Sequence, residues 1–235
     1  MSLRAVAHRG YSARFPENGL PAFAAAIEAG AAAIETDVRS SADGVLVCLH
    51  DPDLRRLAGS PVTVAGATLA ELRAILGDGR PPRLDEVLDL ARNRVDVMLD
   101  MKLADGATTE CTVAAVRRAD MMAATYFGVR TLNQAVVVRA LEPAALTVGL
   151  LADYSEFPSF FAAGGTVSRV WECDFTEPLA TALMADGRPL WVTAGAPRDG
   201  SVGEIDAAGI DRLRALGVAA VLLNDPTRLT QGSNQ

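Results

Sequence analysis

Basic charge in this 235-residue chain is carried almost without lysine: a single Lys stands beside 21 Arg among 22 basic residues. Where arginine serves nearly everywhere, the one lysine, Lys102, is a candidate for a crowded position that needs a compact ammonium instead of a wide planar fork. Histidine is as scarce, with His8 and His50 the only two imidazoles. The three cysteines, Cys48, Cys111 and Cys173, have no paired spacing, which argues for reduced thiols and against a disulfide framework. No apolar run approaches the roughly 20 residues of a membrane span, and no stable membrane insertion is expected. Residues 1–7 run straight into His8, leaving no room for a signal peptide. These two features predict a soluble, cytoplasmic protein. A net charge of -7 opposes binding to nucleic acid or to an anionic membrane, both of which need an extended basic patch. An anionic small molecule must therefore be met by local charge.

No linker, repeat or low-complexity segment interrupts the chain, and half of its residues are hydrophobic. One domain over residues 1–235 is expected, with a length suited to a single α/β barrel. Short β-branched or apolar runs alternate with Ala- and Leu-rich helical stretches, the pattern of parallel strands with crossover helices. Strands are predicted at 4–8, 33–38, 45–50, 95–102, 124–130, 146–151, 168–174, 190–194 and 218–223. A helix is expected to open at Pro16-Glu17-Asn18 and to end before Gly30, with Leu20, Phe23 and Ile27 on one face. The long excursion at about 52–94 holds a helix started by the capping box Thr68-x-x-Glu71 and another near 84–92. The expected fold is a TIM-type (β/α)8 barrel with a small helical insertion after the third strand. Nine strand segments exceed the eight needed, so one must lie outside the barrel.

Alternation along these strands sorts the side chains. Val95, Val97, Leu99 and Met101 fall on the face that packs under helices, and Met98, Asp100 and Lys102 on the other. The same parity sets Glu35 and Asp37 against Ile34, Thr36 and Val38, and Cys48 and His50 against Val45, Val47 and Leu49. Every candidate ligand except Arg9 then projects inward, at the C-terminal strand ends where barrel enzymes gather their catalytic groups. Two imidazoles, three carboxylates (Glu35, Asp37, Asp100) and a lysine suit metal-assisted chemistry on a phosphodiester. A neutral histidine can take a proton from water or a substrate hydroxyl, and a protonated one can give a proton to a departing alkoxide. His8 is assigned as base and His50 as acid, with the reverse order left open.

The motifs His8-Arg9-Gly10, Pro16-Glu17-Asn18, Ile34-Glu35-Thr36-Asp37-Val38, Asp43-Gly44, His50-Asp51 and Leu84-Asp85-Glu86-Val87-Leu88, in that order, resemble the glycerophosphodiester phosphodiesterase family. The resemblance covers about the first 100 residues closely. It implies hydrolysis of a glycerophosphodiester to glycerol 3-phosphate and an alcohol, with one divalent cation, Mg²⁺ or Ca²⁺. By that likeness Glu35 and Asp37 are metal ligands with Asp100 as the third, His8 and His50 the acid-base pair, and Arg9 a phosphate contact. The family usually shows Glu-x-Lys where this chain has Asp100-Met101-Lys102, and its Ser-Phe and Trp-Thr-Val-Asn phrases are replaced by Tyr126-Phe127-Gly128-Val129-Arg130 and Val192-Thr193-Ala194-Gly195. Lys102, Glu17 and Arg130 complete the candidate substrate contacts; Glu17 and Asn18 suit helix capping equally well. Asp51 could begin a turn or touch the site, and Glu172 and Asp174 read as ordinary surface acids. Tyr154, Phe157, Phe160 and Phe161 form either an aromatic lip on the catalytic face or a short helix burying its rings. A lysophospholipase D or sphingomyelinase D-like enzyme, and a barrel that only binds a diester, are the alternatives. The sequence leaves homo-oligomer formation open.

Overall fold

In the computed structural model, which describes residues 2–102 and 105–230, nine strands form one sheet: β1 (Arg4–Ala7), β2 (Ala33–Ser40), β3 (Leu46–Cys48), β4 (Asp96–Met101), β5 (Thr125–Val129), β6 (Leu146–Gly149), β7 (Val167–Trp171), β8 (Leu190–Thr193) and β9 (Ala220–Leu223). Eight of them are parallel, and β1 closes the cylinder by pairing with β9 on one side and β2 on the other. The ninth, β3, runs antiparallel to β2 outside the ring. This accounts for the surplus strand expected from sequence and gives the chain a TIM-type barrel.

The parity of β4 is as expected: Val97, Leu99 and Met101 join the core between strands and helices, and Met98 enters the barrel interior with Val6, Val148, Trp191 and Leu222. At 45–50 the alternation separates two cores, not the inside and outside of the barrel. Val47 and Leu49 pack into a small satellite core with Leu54, Val64 and Leu72, while Cys48 joins the main core. His50 lies beyond the end of β3 and reaches the barrel rim from the insertion, not from a barrel strand.

The helices are α1 (Leu20–Glu28), α2 (Arg55–Ala58), α3 (Leu69–Leu76), α4 (Leu84–Ala91), α5 (Gly106–Arg118), α6 (Leu132–Leu141), α7 (Phe157–Ala162), α8 (Glu177–Leu183), α9 (Ala207–Ala215) and α10 (Thr227–Thr230). Helix α1 begins later than the Pro16-Glu17-Asn18 phrase suggests, because Asn18 adopts a left-handed φ of 54° that a helix does not accommodate. The predicted capping box at the start of α3 forms, with Thr68 and Glu71 each satisfying the other's backbone N–H. Helix α4 differs from α2 and α3. Its Leu84, Val87, Leu88 and Ala91 pack into the main core, so it belongs to the outer ring, and the excursion that breaks the barrel pattern is shorter than 52–94. In α7 the aromatic side is buried: Phe157 and Phe160 are fully enclosed, with ring centroids 6.0 Å apart. These two rings serve packing, Tyr154 and Phe161 are half-buried beside them, and none of the four lines the cavity that His8 and His50 share. Among the described residues no helix is long and apolar enough to cross a membrane.

Candidate active site

At the end of β1 the chain turns through Arg9 and Gly10, with φ of 56° and 78°. Glycine is required at the second position, since a Cβ there would lie 2.8 Å from the backbone carbon of Ala22. The kink answers the parity problem of Arg9, which the strand pattern alone directs away from the interior. Its backbone N–H donates to Glu35 Oε2 at 2.8 Å, its Nη1 donates to Glu17 at 3.1 Å, and its Nε forms an ion pair with Asp37 at 3.4 Å without hydrogen-bond alignment.

His8 and His50 line one cavity of about 360 Å³ together with Arg9, Glu35, Asp100, Lys102 and Arg130. Different partners hold the backs of the two rings. His8 Nδ1 lies 2.9 Å from Asn224 Oδ1. The Asn224 amide is oriented by its Nδ2, which donates to Val202 O at 2.8 Å and to Glu204 at 3.1 Å. Its oxygen must therefore accept from His8 Nδ1–H, which leaves the Nε2 lone pair free. Burial, reinforced by Arg9, lowers the His8 pKa to about 4, keeping the ring neutral near pH 7. His50 Nδ1 instead contacts a carboxylate, Asp51 Oδ1, at 2.7 Å, and Asp51 is held in turn by Arg56 Nε at 2.6 Å. Partial burial lowers the His50 pKa, with Asp37 and Asp51 opposing the shift. A fork from Arg39 onto the His50 carbonyl, at 2.9 and 2.7 Å, fixes the backbone there.

Adjacent strands β2 and β4 supply the acids, in register: Glu35 pairs with Met98 and Asp37 with Asp100. Each of Glu35, Asp37 and Asp100 offers an oxygen within 4.8 Å of the others, and all three are buried. Lys102 bridges two of them, at 2.8 Å to Asp37 and 2.5 Å to Asp100, as a lone ammonium can in a narrow space. Burial alone would raise Asp37, but Lys102 and Arg9 overcome it and hold the carboxyl well below its usual range. Asn18, buried to 2 % exposure, donates to Asp37 Oδ2 at 2.8 Å and accepts from Thr36 Oγ1 at 2.8 Å; its left-handed backbone aims it into the site. Asp100 is gripped by Arg130 through Nε at 3.0 Å and Nη2 at 2.6 Å. Glu35 has no such cation, and burial with the charges of Asp37 and Asp100 pushes its pKa up to about 8. A buried carboxylate crowded by like charges is what a hard dication relieves, and three carboxylates form a donor set that suits Mg²⁺ or Ca²⁺. The residues present fit such an ion.

Glu17 does not line the cavity. It joins Arg9 to Arg56, which it contacts at 2.6 Å, and so positions the guanidinium. Asp37 sits just behind the cavity wall. Glu172 accepts from the Gly195 N–H at 2.8 Å and Asp174 from the Tyr154 hydroxyl at 2.8 Å; neither lines the cavity. Cys48 is buried and its thiol is pushed up to about 12, which removes it as a nucleophile. Asn224, Arg169 and Trp171 were not identified as site residues from sequence. The last two lie at inward-facing parity on β7, as Val167 does, and that parity was the available signal.

Residues 8–228 match the model of the glycerophosphoryl diester phosphodiesterase family. The chain is 35% identical over 108 residues to the glycerophosphodiester phosphodiesterase of Bacillus altitudinis, a match covering 41% of this chain and 43% of that protein. The matched segments of the leading curated relatives span less than half of those proteins' lengths. The crystal structure of glycerophosphodiester phosphodiesterase from Agrobacterium tumefaciens superposes with a TM-score of 0.78 at 25% identity, over 97% of this chain and 99% of that one. The fold is also shared with an Oleispira antarctica phosphodiesterase solved in complex with its product sn-glycerol-3-phosphate, at a TM-score of 0.81 and 20% identity, covering 99% of this chain and 97% of that one.

Proposed function

The chain belongs to the glycerophosphoryl diester phosphodiesterase family, and on that footing we propose that it hydrolyses glycerophosphodiesters to glycerol 3-phosphate and an alcohol. The observation that carries this reading is the pair of imidazoles on one cavity, one backed by an amide and the other by a carboxylate. His8, neutral with Nε2 free, accepts a proton from the attacking water or from the substrate's own glycerol hydroxyl. His50, whose positive form Asp51 favours, donates a proton to the departing alkoxide oxygen. With water as nucleophile, the proton taken at one ring and given at the other balances its addition across the P–O bond; with the glycerol hydroxyl, the same transfers expel the alcohol and form a cyclic phosphate, which water then opens to glycerol 3-phosphate with the two rings exchanging roles. Arg9, Lys102 and Arg130 hold the non-bridging phosphate oxygens, where negative charge grows as the nucleophile arrives. Glu35, Asp37 and Asp100 would hold a divalent cation, which when bound supplies further electrostatic stabilisation of those oxygens.

The test is turnover of a panel of glycerophosphodiesters by the purified chain, with divalent cation and with excess chelator. Release of glycerol 3-phosphate in the first condition and its loss in the second are expected. Replacing His8 or His50 by Ala should lower kcat by on the order of 10²- to 10⁴-fold while leaving the circular dichroism spectrum unchanged. Binding of the diesters without release of any product overturns the assignment.

A further inference from the structure

Arg169 lies at the centre of β7, facing into the barrel, and only 6 % of its surface is exposed. Its Nε and Nη1 have no hydrogen-bond partner, and among the described residues no carboxylate comes within ion-pair distance of it. The guanidinium rests on the ring of Trp171, 4.7 Å from its centroid, and both side chains line the cavity that holds the two histidines. Burial lowers its pKa only to about 10, so it is charged at neutral pH. A buried, charged donor without a partner is costly to keep unless something brought into the site completes it.

The topology says where that something sits. In the closed order of eight parallel strands, β7 is four places from β2 in either direction, so Arg169 faces Glu35 and Asp37 across the barrel. The other three cavity cations, Arg9, Lys102 and Arg130, are already engaged by the acids around the reacting phosphate. Arg169 is left facing the part of the substrate that extends away from them. Glycerol carries no charge, so an anionic group of the substrate other than the reacting phosphate can belong only to the alcohol half of the diester.

We propose that Arg169 is a specificity residue that selects glycerophosphodiesters whose alcohol bears a carboxylate or a phosphate, an inference that rests on the hydrolytic reading above. The planar fork matches either oxyanion bidentately. Trp171, which could otherwise offer a platform to a quaternary ammonium, has its face covered by the guanidinium, and the same charge repels choline-like alcohols.

The experiment compares kcat/KM for four diesters of glycerol phosphate: with glycolate as the carboxylate probe, with glycerol phosphate as the phosphate probe, with glycolamide as the neutral isostere of glycolate, and with choline. The wild-type chain should favour at least one anionic alcohol over glycolamide by roughly 10- to 100-fold, the span of a charge-assisted hydrogen bond, and should disfavour choline. Arg169→Met should bring the anionic-to-neutral ratio towards one, whatever happens to the rate common to all four, and Arg169→Lys should restore part of it. If Arg169→Met does not fold, the wild-type ratios and those of Arg169→Lys decide. Equal kcat/KM for glycolate, glycerol phosphate and glycolamide diesters in the wild type overturns the inference while leaving the hydrolytic reading intact. An unchanged ratio in Arg169→Met does the same. Hydrolysis of none of the four defeats both.

Discussion

The division of labour proposed for the two histidines rests on what stands behind each ring. Activity that needs His8 unprotonated and His50 protonated rises as pH climbs through the His8 pKa, lowered to about 4, and falls as pH passes that of His50. Asn224→Asp places a carboxylate behind His8, raises its pKa and moves the acid limb of the kcat/KM profile upward. Asp51→Asn takes the carboxylate from His50, lowers its pKa and moves the alkaline limb downward. Both variants should therefore narrow the bell; if His50 is the base and His8 the acid, both must widen it, so one pH series per variant settles the order. The charged residues gathered on the cavity were legible because they stand in short phrases where two-residue parity and residue chemistry agree. Asn224 was not, since its partner His8 is 216 positions away and a hydrogen bond spanning the barrel seam leaves no local pattern. Arg9 lay between these cases: its presence was readable, but its direction depends on a left-handed backbone that an arginine seldom adopts.

Elements carry a different kind of information. The alternation at 45–50 is compatible with a barrel strand and with a hairpin arm, and period alone does not separate them. The connection does: only five residues, 41–45, join β2 to β3, with Asp43-Gly44 among them and Gly44 at a φ of 74°. A parallel crossover needs a dozen or more residues, whereas Asp-Gly in a short connection between two strands favours a hairpin. Helix α4 was harder to place, because an amphipathic face shows that a helix packs but not against which core. The capping box of α3 is exposed and local, so Thr68→Ala should cost about 1 kcal/mol in urea unfolding with kcat unchanged. Gly10→Ala should do more harm, costing more than about 1 kcal/mol because the residue requires positive φ. It should also lower kcat, since the added methyl meets Ala22 and displaces Arg9 from Glu35.

For the molecule as a whole, a dication held by the folded acids but not by the unfolded chain must raise the unfolding temperature. At a hundredfold excess over its Kd it adds about 2.7 kcal/mol, which for a chain of this size is roughly 5–10 °C in Tm. Scanning fluorimetry with Mg²⁺, with Ca²⁺ and with chelator reads this directly, and Glu35→Gln should abolish most of the shift. A Tm indifferent to both ions would remove the carboxylate cluster as a cation site. The barrel was readable at this scale because strand and helix patterns alternate along a chain of one barrel's length; which strand lies outside the ring was not, because closure is made by β1 meeting both β2 and β9. That seam has a consequence for biosynthesis. The first barrel stave leaves the ribosome before all the others, yet its flank and the acceptor that sets the tautomer of His8 arrive with the last one. A nascent chain halted between Lys102 and β9 thus carries both imidazoles, the three clustered acids and the lysine, and still lacks the acceptor behind His8. On the proposed mechanism, catalytic competence is withheld until translation has delivered the final strand.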